Sequence, residues 1–276
     1  MQEKIGNKNK DNRPIGIFDS GFGGLTVMAA IKKALPMESL IYFGDTAHIP
    51  YGSKSRNMVV KYSKEIIDFL IKHKVKLVVI ACNTASAFAL SILRRTSPVP
   101  VIDVIEPGSK AAVYASKNKK IGVIGTEGTI SSKSYPRKIN KIFKCAKVYQ
   151  QVCPLLVPLI EEGWNSGEII DSIVKKYLKP ILNRQIDTLI LGCTHYPLLK
   201  KALEKNIGNN IALIDSAKAT AREVKDTLMK SHLFANIKSK KFLKFYVSDN
   251  PKKFQIIGSR FFSGEILNVK KVKMIN

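Results

Sequence analysis

Short apolar runs alternate with helical segments along the first part of the chain. These runs consist mostly of Val, Ile, Leu and Phe and lie at residues 15–18, 40–43, 77–81 and 99–102. Such runs are typical of parallel strands that are buried on both faces. Helices are predicted between them at residues 25–35 and 85–95, and over 58–73, where apolar side chains recur every three or four residues. Regular strand–helix alternation predicts a parallel sheet with right-handed crossovers.

The second part of the chain repeats this plan. Three stretches recur in the same order, 106 to 112 residues further on: residues 15–20 at 121–126, the run before Cys82 in the run before Cys193, and 101–103 at 213–215. An ordered repeat of this kind indicates two similar α/β halves. A small-molecule site is expected in the cleft between them, because domain interfaces are a common place for such sites.

The same pattern sets the predicted domain limits. They are a disordered polar tail at residues 1–13, a discontinuous first domain at 14–102 and 217–264, a second domain at 103–216, and a C-terminal extension at 265–276. A helix over residues 220–230 is expected to return the chain to the first half.

Composition narrows the class of protein. Of the 276 residues, 45% are hydrophobic, which is enough for a large core, and no apolar run approaches the length of a membrane helix. The polar N-terminus lacks the apolar segment of a signal peptide, so a cytoplasmic protein is predicted. The net charge of +25 permits binding to nucleic acid. The basic residues are scattered without interleaved aromatics, so a solvated surface is favoured, and a nucleic-acid-binding protein stays as the alternative of another class.

Two of the four cysteines share one context. Cys82 and Cys193 each end an apolar run and precede a turn that contains threonine and opens a predicted helix. Residues just beyond the carboxyl end of a parallel strand point into the ligand crevice, so a site with two thiols is predicted. The nearby helix N-termini are expected to lower the pKa of both thiols. Cys145 and Cys153 lie outside such strand-end contexts and are interpreted as structural.

Two thiols on opposite sides of a substrate suit the inversion of a carbon centre. One thiolate removes a weakly acidic α-proton while the other thiol supplies a proton to the opposite face. Asp19 and His195 are candidate proton partners for Cys82 and Cys193, respectively. A lone cysteine at a strand end is more often structural. A Cys193–His195 nucleophile for acyl transfer is another possibility, although it leaves Cys82 unexplained.

Six motifs together carry a family resemblance. They are DSGFGG at residues 19–24, PYG at 50–52, ACNT at 81–84, GTEGTISSKSY at 125–135, LGCTHYP at 191–197 and IDS at 214–216. This ordered set resembles the bacterial glutamate racemases over nearly the whole chain. The resemblance implies two α/β domains and interconversion of L- and D-glutamate for peptidoglycan synthesis, with no cofactor and no metal. It also implies a homodimer. The sibling alternative is an aspartate or related amino-acid racemase.

The resemblance assigns roles to individual residues. Cys82 and Cys193 match the acid/base pair, and an acidic partner for the second thiol is expected at Glu161, in preference to Glu162. The positions that match the substrate-binding set are Asp19, Ser20, Tyr51, Gly52, Asn83, Thr84, Thr194 and His195. Hydroxyl, amide and backbone N–H groups of this kind can hold two carboxylates and an ammonium group without a buried countercharge.

Overall fold

A computed structural model describes residues 10–236, 239–262 and 264–273. Its strands are β1 (Ile15–Asp19), β2 (Leu40–Gly44), β3 (Leu77–Ile80), β4 (Val101–Asp103), β5 (Lys120–Gly125), β6 (Lys147–Val152), β7 (Thr188–Gly192), β8 (Ala212–Ile214), β9 (Leu243–Val247) and β10 (Val269–Lys271). Its α-helices are α1 (Leu25–Ala34), α2 (Arg56–Lys72), α3 (Asn83–Thr96), α4 (Ile105–Ala115), α5 (Glu127–Ser131), α6 (Ser134–Ile142), α7 (Leu156–Glu161), α8 (Glu168–Leu182), α9 (Lys200–Ile207), α10 (Ser216–Lys230) and α11 (Pro251–Phe262).

The strands form two sheets, and every strand pair is parallel. The larger sheet has the order β10-β9-β2-β1-β3-β4, and the smaller sheet has the order β6-β5-β7-β8. The predicted fold of two similar parallel α/β halves is therefore confirmed. The order β2-β1-β3-β4 matches β6-β5-β7-β8 strand for strand, so each sequence repeat occupies the same place in its own sheet.

The local chemistry of the chain explains where these elements begin. Ser55 caps α2, since its side chain accepts a hydrogen bond from the backbone N–H of Met58. Strand β4 begins at Val101, later than predicted, because Pro100 has no N–H to donate to a sheet. Helix α3 begins two residues earlier than predicted, and its N-cap is Cys82, whose sulfur accepts from the backbone N–H of Ala85.

The two sheets share one core. A single cluster of buried apolar side chains includes Ile15 and Leu77 from the larger sheet and Leu189 and Leu191 from the smaller one. Helix α10 packs against both α1 and α4, so it contacts helices that flank both sheets. This continuous packing holds the two sheets together around the cleft.

Both ends of the described chain pack on the half that contains the larger sheet. The described part of the predicted tail, residues 10–13, is hydrogen-bonded through Asp11, whose N–H donates to the Phe234 carbonyl. At the other end, β10 pairs with β9, and Ile266 is buried in the core. The stretch set apart as an extension thus contributes an edge strand. Residues 1–9 of the predicted tail lie outside the described residues, and the remaining domain limits stay a prediction.

A buried ion pair joins several separate segments of this half. The Lys76 ammonium lies 2.6 Å from the Glu38 carboxylate, with 0% and 2% of their side chains exposed. Lys76 also donates to the carbonyls of Asp11 and Leu233, both at 2.7 Å, while Glu38 accepts from the backbone N–H of Ala235. The pair therefore fastens the N-terminal segment and the loop after α10 to the start of β3.

Replacement of Lys76 by methionine is expected to destabilise the fold by about 3–5 kcal/mol, because it leaves a buried carboxylate without its partner. Urea unfolding followed by circular dichroism measures the change. Lys205→Met is the matched control, since the Lys205–Asp171 pair has a lysine side chain that is 70% exposed. Its loss should cost far less stability, because solvent screens an exposed pair. Equal stabilities for the two variants would contradict the prediction.

Candidate active site

Both predicted thiols line one cavity between the two sheets. Its volume is about 30 Å³, close to the share of one water molecule in the liquid. The residues that line it are Ser20, Pro50, Tyr51, Gly52, Cys82, Asn83, Thr84, Thr126, Val157, Gly192, Cys193, Thr194 and His195. The tertiary structure thus brings together the two cysteines that lie more than a hundred residues apart in the chain.

Strand ends deliver these side chains to the cavity. Ser20 follows β1 and Cys82 follows β3, its neighbour in the larger sheet, while Cys193 follows β7 of the smaller sheet. The carboxyl ends of parallel strands open onto one edge of a sheet. The two sheets present these edges to a common cavity, so the thiols come from opposite walls.

Cys82 lies in a closed environment. Its sulfur accepts from the Ala85 N–H at 3.5 Å and donates to the Ser20 hydroxyl at 3.7 Å, and the residue is 6% exposed. Burial, with the added negative charge of Asp19, raises the pKa of the Cys82 thiol to about 12, although the Ala85 N–H and the Ser20 hydroxyl, which can turn to donate to a thiolate, oppose the rise. The expected lowering of its pKa by the helix N-terminus is therefore wrong for this thiol, because desolvation outweighs that effect.

Cys193 has a different partner. Its sulfur lies 3.8 Å from His195 Nδ1, and His195 Nε2 lies 3.0 Å from Glu161 Oε1. Burial opposes a charge on the imidazole, but the hydrogen bonds and negative charges of Cys193 and Glu161 raise the pKa of His195 to about 10. Cys193 and Glu161 therefore both favour a charged imidazolium at His195. Glu161 thus contacts His195 rather than the Cys193 thiol, whereas Glu162 is exposed.

Close packing keeps this histidine in place. Phe261 of α11 meets the His195 ring edge to face, with centroids 5.0 Å apart. Gly23, before α1, approaches from another side, and a Cβ at this position would overlap Thr194 Oγ1 and His195 Nδ1. Gly23 of the motif at residues 19–24 is thus needed because the chain passes close to the loop after β7 at this point.

Asp19 contacts the cavity-lining Thr194 but is not itself among the described residues that line the cavity. It is fully buried, accepts from the Gly21 N–H at 3.0 Å and from the Thr194 hydroxyl at 3.4 Å. Burial raises the pKa of its carboxyl, while the positive charge of His195 and these hydrogen bonds oppose the rise. The hydrogen-bond partner of the Cys82 sulfur on this wall is the Ser20 hydroxyl, so Asp19 acts on Cys82 through its charge.

The remaining predicted binding residues line the cavity. Some of their hydroxyl groups already make hydrogen bonds within the protein. The Tyr51 hydroxyl donates to Asp45 at 2.5 Å, so this residue offers the cavity its ring and backbone. The Thr84 hydroxyl is 2.9 Å from Thr126 Oγ1 and 3.2 Å from Thr129 Oγ1. Gly52 packs closely on Thr126, since a Cβ there would lie 2.7 Å from the Thr126 Cβ.

Thr126, at the cavity, and Cys153, at the end of β6, are not among the predicted site residues. Thr126 lines the cavity, and the internal repeat contained the signal for it, because Thr126 follows β5 as Ser20 follows β1. Cys153 directly follows β6, so its interpretation as lying outside a strand-end context is wrong. Its thiol is fully buried, and desolvation and the charge of Cys193 raise its pKa to about 12. The polar strand β6, with Gln150 and Gln151, lacks the apolar run that marks the other strands.

No group of three or more His, Cys, Asp or Glu side chains among the described residues is arranged to hold a metal ion. No helix among residues 10–236, 239–262 and 264–273 has the length and apolar character needed to cross a membrane.

Glu161→Gln is expected to lower the pKa of His195 from about 10 toward the ordinary value of about 6.5, because it removes one of two flanking negative charges. The imidazolium is then lost as pH rises through this lower value. A pH titration of the histidine ring nitrogens by NMR measures the change. Glu162→Gln, one residue away and exposed, is the control and should leave the titration unaltered. An unchanged midpoint in the Glu161 variant would show that the carboxylate does not hold the proton on His195.

Comparisons with known proteins agree with this geometry. The family model for Asp/Glu/Hydantoin racemase matches residues 15–224. Glutamate racemase of Geobacter metallireducens is 47% identical over 262 residues, which cover 95% of this chain and 97% of that protein. The crystal structure of glutamate racemase from Francisella tularensis in complex with D-glutamate superposes with a TM-score of 0.90 at 40% identity, covering 96% of this chain and 98% of that one. A glutamate racemase structure from Bacillus anthracis gives a TM-score of 0.91 at 38% identity, covering 95% and 98%. The chain therefore belongs to the Asp/Glu/hydantoin racemase family.

Proposed function

We propose that the protein is a glutamate racemase that uses Cys82 and Cys193 as its two bases. The observation that carries this proposal is the pair of thiols on opposite walls of one cavity, each in a different electrostatic environment. Family membership, and the identity of the relatives as glutamate racemases, favours glutamate over aspartate. No feature of the site favours nucleic-acid binding.

The surroundings of the two thiols suit opposite roles in one direction of the reaction. Cys193, beside His195, is the base that removes the α-proton. Cys82, whose thiol is kept neutral by burial, delivers its proton to the opposite face of the carbanion. The C–H bond breaks toward one sulfur while a new C–H bond forms from the other. The reverse reaction uses the same groups with their roles exchanged.

One turnover leaves the charges of the thiols inverted. Cys193 then carries the proton, and Cys82 is a thiolate next to Asp19, an arrangement that the structure disfavours because both groups are buried. Reaction of the opposite enantiomer, or proton exchange with water, restores the starting state. His195, with Glu161 behind it, is the group that can pass the proton from Cys193 toward the protein surface.

Neutral donors fit the charge pattern of an amino acid. Of the described residues that line the cavity, only His195 has a basic side chain; besides the two thiols, the polar groups of the others are hydroxyls, the Asn83 amide and backbone N–H groups. The α3 N-terminus also points its N–H groups at this region, which favours a carboxylate. Weak, distributed donors of this kind bind two carboxylates while leaving the thiolate able to act as a base.

Substrate binding requires the cavity to widen. A volume of about 30 Å³ is far below the roughly 300–1,000 Å³ of typical ligand pockets. A neighbouring cavity of about 350 Å³ shares Pro50, Gly52, Thr126 and Val157 with it and reaches Glu161. Separation of the two walls along these shared residues is the route by which glutamate enters.

The resemblance to glutamate racemases also implies where and in what form the enzyme acts. The enzyme acts without a cofactor, in the cytoplasm and as a homodimer, and supplies D-glutamate for peptidoglycan. Sedimentation of the purified protein tests the dimer.

Cys82→Ser and Cys193→Ser are each expected to slow racemisation by roughly 10²- to 10⁴-fold, because each removes one acid/base group. Loss of optical rotation by L-glutamate, and exchange of its α-proton in D₂O, measure the rates without added cofactor. Cys145→Ser is the matched control, since Cys145 is exposed and away from the cavity. Ordinary activity in either active-site variant, with native circular dichroism, would refute the two-thiol mechanism. Faster reaction with aspartate would shift the substrate assignment.

A further inference from the structure

One polar group at the cavity has no partner in the protein. Asn83 is 3% exposed and lines the cavity, and its Oδ1 accepts a hydrogen bond of 2.7 Å from the Tyr135 hydroxyl. Its Nδ2 is buried and has no hydrogen-bond partner among the described residues. A buried amide N–H that lacks an acceptor is costly, so this group is suited to a ligand that supplies one.

The Tyr135 hydroxyl decides which end of the amide is left free. The ring is fully buried in α6, and Asn83 Oδ1 is the one acceptor that its hydroxyl has in the described part of the chain. Burial, with the nearby charges of Asp103, Cys193 and Asp215, raises the pKa of Tyr135, so the hydroxyl stays protonated. It must donate, and donation fixes Oδ1 toward Tyr135 and Nδ2 away from it.

The free amide selects the kind of ligand atom that can bind. Its N–H groups need an acceptor, and the ammonium group of an amino acid has only donors. The acceptors of glutamate are its two carboxylates. We propose that Tyr135 is a positioning residue, which holds the Asn83 amide so that Nδ2 binds a substrate carboxylate. This proposal rests on the proposed function.

The same bond spans the cleft. Asn83 is the first residue of α3 beside the larger sheet, whereas Tyr135 belongs to α6 beside the smaller one. The tyrosine ring is fixed against the end of β7, since a Cβ at Gly192 would lie 3.3 Å from its Cε2. The amide is therefore oriented only when the two walls are together, which links carboxylate binding to closure of the cavity.

Tyr135→Phe tests the proposal, because it keeps the buried ring and removes the donor. KM for glutamate should rise roughly 10-fold, with kcat changed less than about two-fold, since the carboxylate contact is made equally in the ground state and the transition state. In an Asn83→Ala background the same substitution should have no further effect on KM. An unchanged KM, or an equal effect in both backgrounds, overturns the proposal.

Tyr196→Phe is the matched control. Tyr196 is also fully buried, and its hydroxyl donates to the Cys153 carbonyl at 3.1 Å, away from Asn83. Any effect of Tyr196→Phe should be the same with and without Asn83→Ala, whereas that of Tyr135→Phe should vanish.

A spectroscopic readout separates this proposal from the proposed function. In ¹H–¹⁵N spectra, the Asn83 side-chain amide, assigned by its loss in Asn83→Ala, should shift in Tyr135→Phe without any substrate. An unshifted resonance overturns the Tyr135–Asn83 bond even in an active enzyme. A wild-type protein that fails to racemise glutamate overturns the proposed function, and the shift then still decides whether Tyr135 orients Asn83.

Discussion

Parallel strand register is the constraint on which the site depends. Phe18 pairs with Ile80 across β1 and β3, so Ser20 and Cys82 leave the larger sheet side by side, and their side chains touch. Gly125 pairs with Gly192 across β5 and β7, so Thr126 and Cys193 leave the smaller sheet in the same way. A shift of one residue in either register would move a thiol to the opposite face of its sheet.

Equivalent positions in the two sheets carry unequal chemistry. Cys82 is surrounded by neutral groups and the negative charge of Asp19, which hold its proton in place. Cys193 is followed by His195, whose proton is held in turn by Glu161. The repeated fold thus places the two thiols in two different electrostatic environments.

The two walls meet through hydrogen bonds between side chains rather than through ion pairs at the cavity. Thr194 donates to Asp19, Thr84 contacts Thr126, and Tyr135 donates to Asn83. A neutral hydrogen bond contributes about 0.5–1.5 kcal/mol, and a bond to a charged group such as Asp19 about 1.5–3 kcal/mol. The walls can therefore separate at modest cost when substrate enters and come together again around it, whereas the buried Lys76–Glu38 pair lies away from the cleft and keeps the larger sheet intact.

The sequence by itself determines the fold class and the two candidate cysteines of this protein. The apolar runs mark most of the strands, the internal repeat indicates two similar halves, and Cys82 and Cys193 follow from their place at strand ends. These features are local, so a pattern of neighbouring residues is enough to reveal them. Strand β6 has no such signal, because half of its residues are polar and most are only partly buried, so the strand-end position of Cys153 has none either.

Only the tertiary structure decided how the groups act. Glu161 reaches His195, and Tyr135 reaches Asn83, through contacts between segments that are distant in the chain. The pKa of Cys82 depends on how completely the fold removes water from its thiol, which no local pattern encodes. Sequence thus names the reacting groups, whereas burial and long-range contacts set their protonation and orientation.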